Sequence, residues 1–201
     1  ATIENVTCGY QYNSSKEEDE DETKSTLVDY PFSVSIQKKG AHYVSGALID
    51  KRWILSVAGE FYHIRDTLKL FRARLGSVDC KKGGTVVPIK IIEIHPYYIY
   101  GKPNFDISLL RMAMPIDFSE VIRPIGISDI KGKVLSAKFM TTYWPRIVPD
   151  AGAPVVAEDG LWGITSGWIS PTCPNFPAPT IFTRLSSPSV RSWLHTQLLN
   201  L

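Results

Sequence analysis

Short apolar runs, each closed by Gly, Pro, Asn or Asp, recur along the chain from residue 32 to residue 185. This punctuation suits strands and hairpins and leaves no room there for long amphipathic helices. "FSVSIQ" (32–37), "HYVSGALI" (42–49), "RWILSVA" (52–58), "KLFRARLG" (69–76), "TVVPIKIIEIHP" (85–96) and "DISLLRM" (106–112) each read as strands. After a proline-punctuated connector come "KVLSAKFMTTYW" (133–144), "APVVAEDGLWGITSGW" (153–168) and "TIFTRL" (180–185). One segment keeps helical spacing: Val190, Trp193, Leu194, Gln197 and Leu198 share a face, with Ser187 as N-cap. The expected class is all-β with a C-terminal helix at about 187–199.

With 201 residues, the chain suits either one domain of the two-barrel kind or two small domains packed closely; the family resemblance described below sets the bounds at about 27–118 and 119–186. Residues 1–26 read as an acidic arm, because "KEEDEDETK" (16–24) holds six consecutive acids that repel one another. The run is either a plain solvated segment or a contact for a cationic partner. The overall balance, 22 basic against 20 acidic residues, gives no general pull toward nucleic acid or membrane. No uninterrupted apolar stretch of about 18 residues exists to span a bilayer. "ATIENVTCGY" has neither the basic start nor the apolar core of a leader. Sequons at Asn5 and Asn13 suit a secreted chain. Cys8, Cys80 and Cys173 allow at most one internal disulfide. No Cys/His cluster has metal-ligand spacing, and no cofactor is implied.

Seven segments stand in a telling order: "YPFSVSIQ", "HYVSGALIDKRWILSVA", "RARLGSVDCKKGGTVVPIKIIEIHPYY", "NFDISLLRM", "PDAGAPVV", "GITSGW" and "TIFTRLSSPSVRSWL". Over residues 30 to about 198 the chain resembles the chymotrypsin-like (trypsin-like) serine proteases, and from Arg74 to Arg111 most resembles the insect branch. The resemblance implies two antiparallel β-barrels with a cleft between them and a closing C-terminal helix. The second barrel should be shortened, because the chain spends far fewer residues than the family between "IGIS" (125–128) and "PDAG" (149–152). In that fold a serine attacks a carbonyl, a histidine takes its proton, an aspartate orients the imidazole, and N–H groups hold the oxyanion.

The sequence departs from this pattern at the chemistry itself. The histidine position, in "WILSVAGEF", is Gly59, and the serine position, in "PDAGAP", is Ala151. Two residues earlier stands Pro149, which has no N–H for an oxyanion. Asp106, in "NFDISLL", keeps the family's aspartate. Losing the serine or histidine alone costs about 10⁶ in turnover. His42 and His95 match structural histidines of the family, and neither they nor His63 stand beside a nucleophile at the right turn. The expectation is lost chemistry rather than relocated chemistry.

Recognition features differ as well. Pro145 occupies the acidic specificity position, and Ser166, Gly167, Trp168 replace the usual serine, tryptophan, glycine order. Trp168 either covers the pocket mouth or, after a register shift, packs on the surface. Asp150 pairs with a freed Ile or Val N-terminus in active members, but that terminus would fall inside "EEDEDE" here. Asp150 is therefore expected to find another partner or face solvent, since a buried unpaired carboxylate costs several kcal/mol. Val44 and Glu60 replace one disulfide pair, and Ile147 replaces the mate of Cys173. Cys173 is left as a free thiol, a bond to Cys8 or Cys80, or an intermolecular bond. These features predict a non-catalytic homologue that binds another protein in an extracellular fluid. The alternative is a structural or storage component of a secreted assembly, joined through exposed strand edges.

Overall fold

The computed structural model describes residues 27–64, 67–129, 139–142, 144, 150–166 and 181–199. Six strands close into an antiparallel barrel: β1 (Ser33–Lys38), β2 (Ala41–Leu48), β3 (Trp53–Ser56), β4 (Phe71–Leu75), β5 (Thr85–Ile94) and β6 (Ser108–Met112). Around the barrel the order is β1-β2-β3-β6-β5-β4. The alternation of β4 shows why: Phe71, Ala73 and Leu75 turn inward, while Arg72 stays in water. Val34, Ile36, Leu48, Ile54 and Leu110 fill the same interior, all fully buried. Val44 joins this core and Glu60 stays at the surface, so the lost disulfide pair is replaced by apolar packing on one side and solvation on the other.

β1 is buried on both faces. Its polar residues Ser35 and Gln37 are as inaccessible as Val34 and Ile36. Such groups must find partners: Gln37 Nε2 donates to the Cys80 carbonyl at 2.6 Å, and Ser35 enters the network described below.

In the second half, β7 (Met140–Thr141), β8 (Pro154–Ala157), β9 (Gly160–Thr165) and β10 (Phe182–Arg184) form a sheet of order β10-β9-β8-β7. Where the sequence suggests a shortened barrel, the described strands make an open four-stranded sheet whose outer members do not pair. The run 153–168 resolves into a hairpin that turns at Glu158–Asp159. Of 133–144, the described strand portion is Met140–Thr141.

Helix α1 (Pro188–Leu199) seals the back of the molecule with Val190, Trp193 and Leu194. Arg191 anchors it by donating to Asp129 Oδ1 at 2.6 Å and to the Ser128 carbonyl. His95 links the helix to the barrel: its ring stacks on Phe105 at 4.8 Å and meets Trp193 edge-on at 5.0 Å. Burial pushes the His95 pKa down, and no acid is needed for this packing role. Among the described residues, no helix is long and apolar enough to cross a membrane.

Candidate functional site

The cleft is built where β3 ends. After Ser56 the chain turns through Val57 and Ala58 into a single 3-10 turn, Gly59–Phe61. The first N–H groups of such a turn lack internal partners. Asp106 supplies one: its Oδ1 accepts the N–H groups of Ala58 at 2.9 Å and Gly59 at 2.7 Å. Asp106 is aimed there by Phe105, a non-glycine residue held at φ 58 just before β6. Ser108 Oγ ties β6 to the Val57 carbonyl at 2.6 Å, and Thr183 Oγ1 from β10 donates to the Asp106 carbonyl at 3.1 Å.

Asp106 is 1 % exposed. Burial raises its pKa to about 6, against the opposing pull of the Gly59 N–H, the Ser166 hydroxyl and the Ala58 N–H. Ser166 Oγ is itself buried with no hydrogen bond of good geometry, so its help is weak. Because the folded pKa lies above the unfolded value of 3.8, the native state binds the proton more tightly. This group therefore subtracts stability as pH rises from about 4 to about 6, by about 3 kcal/mol in all. An asparagine side chain in its place would keep an acceptor for both N–H groups without the charge. Asp106→Asn should leave stability nearly flat over that window and raise it at pH 7.5, as read from urea melts across pH. An unchanged slope would place the pH dependence elsewhere.

A side chain that sequence reasoning missed fills the space beside Gly59. The phenol oxygen of Tyr98 would lie 2.8 Å from a Cβ at Gly59, with Asp106 Oδ1 at 3.5 Å. Tyr98 is 7 % exposed, and its pKa is pushed up to about 12 by burial and then by the Asp106 charge. A side chain at Gly59 would press on this neutral phenol, whose tip would have to shift by a few tenths of an ångström to admit it. Outward from Tyr98 lies a ring cluster, with Tyr62 at 5.7 Å from Tyr98 and stacked on Tyr100 at 5.4 Å. His63 meets Tyr100 at 4.4 Å in this exposed cluster, far from any relay role. Tyr97, Ile99 and Tyr100 are each more than half exposed.

The turn carrying Ala151 packs directly on β2. Ser45 N–H donates to the Ala151 carbonyl at 2.8 Å, and the Ala151 methyl rests against the core. Its neighbour Asp150 is buried and has found a partner inside the fold. Oδ2 accepts from Ser45 Oγ at 2.6 Å and from the Trp144 N–H at 3.3 Å. Oδ1 faces His42 Nε2 at 3.5 Å, and His42 Nδ1 lies 2.8 Å from Ser35 Oγ. With Nδ1 accepting from Ser35, an Nε2–H faces the carboxylate across a gap too long for a good hydrogen bond, and both of those facing atoms lack a bonded partner. Asp150 is thus held by Ser45 and Trp144 with His42 alongside, not by solvent.

Gly59 and Asp106 meet through the Gly59 N–H, Ser166 approaches Asp106, and Ala151 lies on the turn packed on β2. Cys80 is half-buried and, among the described residues, carries a free thiol. Cys8, Cys173, Asn5, Asn13, Pro145, Pro149, Gly167 and Trp168 lie outside the described residues.

A closed antiparallel barrel packed on a second β sheet, a closing helix and a cleft aspartate at the junction define a chymotrypsin-like domain. The chain belongs to the trypsin family: residues 20–147 match the family model described as "Trypsin". It is 29% identical to "Trypsin" of Phaedon cochleariae over 122 residues, 60% of this chain and 47% of that protein. It is 25% identical to "Hypodermin-A" of Hypoderma lineatum over 132 residues, 65% of this chain and 50% of that protein. The chain spans about half the length of these curated relatives.

Proposed function

We propose that this chain is a catalytically inactive, secreted member of its family, nearest the insect branch, that works by binding another protein as cofactor, decoy or scaffold. The observation that carries the reading is the Gly59 site: beside the Asp106 carboxylate no side chain stands there to carry a proton, and an added Cβ would meet the Tyr98 phenol oxygen at 2.8 Å. Ala151 offers no nucleophilic oxygen, and Pro149 no oxyanion donor.

Ser35, His42 and Asp150 do form a Ser/His/Asp chain, which bears on a hydrolytic reading. Ser35 is 0 % exposed on a strand buried on both faces, so no carbonyl can approach its hydroxyl. The chain of contacts has the geometry of a structural clamp. The exposed Tyr62, Tyr97, Ile99 and Tyr100 suit binding instead, since tyrosine supplies much contact area at little entropy cost.

The decisive variant is Gly59→His combined with Ala151→Ser. Turnover of chromogenic peptide amides should remain at the blank level. The new imidazole meets the Tyr98 phenol, and the missing oxyanion donor alone is worth about 10²–10³. Rates restored to within about 10³ of an active protease would show that the cleft is intact apart from two side chains. The second reading, a structural or storage component, predicts a large stoichiometric complex on gel filtration of the native fluid; a regulatory binder runs mostly free.

A further inference from the structure

The outer wall of the first barrel is cationic along β4, and the pairing register shows how. Lys39 follows β1 and binds the Leu70 carbonyl through its N–H at 2.9 Å, which sets it beside Lys69. Arg72 points outward from β4 and pairs with Pro88, and the same antiparallel register brings Lys90 level with Leu70. Arg74 comes next, its guanidinium holding the Gly83 and Lys81 carbonyls of the loop that carries Lys81 and Lys82. Among the described residues, the carboxylate on this strip is Asp79, 3.9 Å from Lys82. Arg65 and Asp66, adjacent in sequence, lie outside the described residues and cancel in charge. A strip this basic, in a chain with a net charge of only +2, must be balanced elsewhere, and the six consecutive acids at 17–22 are the densest counter-charge in the sequence.

We infer that the acidic run at 17–22 docks on this strip of its own chain. Reach supports it. Val34 pairs with Leu75, and the residues before β1 stay at that end: Pro31 accepts the Arg123 N–H, next to Val121 and Ile122, which flank Gly76. Residues 23–26 separate the acids from the first described residue. That spacer covers at most about 14 Å and the acidic run about 20 Å, while Leu70 to Arg74 is a step of about 13 Å. The run is long enough to reach the strip from its Arg74 end. Each exposed pair is weak and screened by salt, but tethering makes the six acids act together at high effective concentration.

Carbodiimide coupling of the full chain, as an equal mixture of ¹⁵N-labelled and unlabelled protein, tests this. At about 0.02 M salt, amide links should join carboxyls of 17–22 to Lys39, Lys69, Lys81, Lys82 and Lys90 within one isotopic species. They should fall about tenfold at about 1 M salt, where the screening length is only about 3 Å. In the variant Lys39→Glu/Arg72→Glu/Lys90→Glu, altered only at exposed positions, the links to the remaining strip lysines should drop several-fold at unchanged melting temperature. Links spread equally to Lys51 and Lys102, or insensitive to salt, overturn the inference. Links between isotopic species overturn it too, by making a second copy the occupant.

Discussion

Removing the His42 imidazole with His42→Ala should cost about 2–3 kcal/mol of folding stability at pH 7, the upper part of the range for a buried polar group stripped of its neighbour. Asp150 would keep Ser45 and Trp144 on one oxygen, while its other oxygen, which now faces only His42 at 3.5 Å, would be left in a dry interior. That contact is too long for a good hydrogen bond, so its strength is Coulombic and depends on the low local dielectric. The penalty comes from the stranded charge rather than from lost packing. Adding Asp150→Asn should therefore recover a large part of it, and urea melts of the two single variants and the double variant give the coupling directly. A loss below about 1 kcal/mol, or simple additivity, would mean that Asp150 does not rely on His42.

Gly152→Ala should be more damaging, by about 4 kcal/mol or more, through sterics. Gly152 sits at φ +83, and an added Cβ would fall 2.1 Å from the Ser45 carbonyl and 2.7 Å from Ser56 Oγ. Those atoms belong to β2 and β3, so the turn cannot retreat without losing the Ser45 to Ala151 hydrogen bond. Gly101 is the control: its φ is +78, but nothing lies within 4 Å of an added Cβ. Gly101→Ala should cost only the backbone term of about 1–2 kcal/mol. Similar melting-temperature losses for both would mean that the turn is not seated on β2 as described.

Strands were readable where apolar and charged residues alternate, as in Phe71, Arg72, Ala73, Arg74, Leu75, but their closure into a barrel was implied only by the family resemblance, since β1, β3 and β6 are buried almost throughout. Helix α1 was readable because Val190, Trp193 and Leu194 repeat at helical spacing. Strand ends were less so: the run 52–58 stops at Ser56, where Ala58 and Gly59 turn their N–H groups to Asp106 instead of a neighbouring strand. The glycine at position 59 was plain in the chain, but its contact with Tyr98 was not, because a residue 39 positions later arrives there only through the β5–β6 connection. Likewise, the need of Asp150 for a partner follows from burial of a carboxylate, whereas the partner's identity depends on β1 and β2 bringing Ser35 and His42 against the second half.

That this cleft has no group able to attack a peptide carbonyl is tested most directly by exposing the purified chain to an excess of a fluorophosphonate and weighing the intact protein. The account predicts the unmodified mass after prolonged incubation, under conditions in which an active member of the family is labelled to completion. A stoichiometric adduct that maps to this chain and disappears with Ser35→Ala or Ser166→Ala would contradict it.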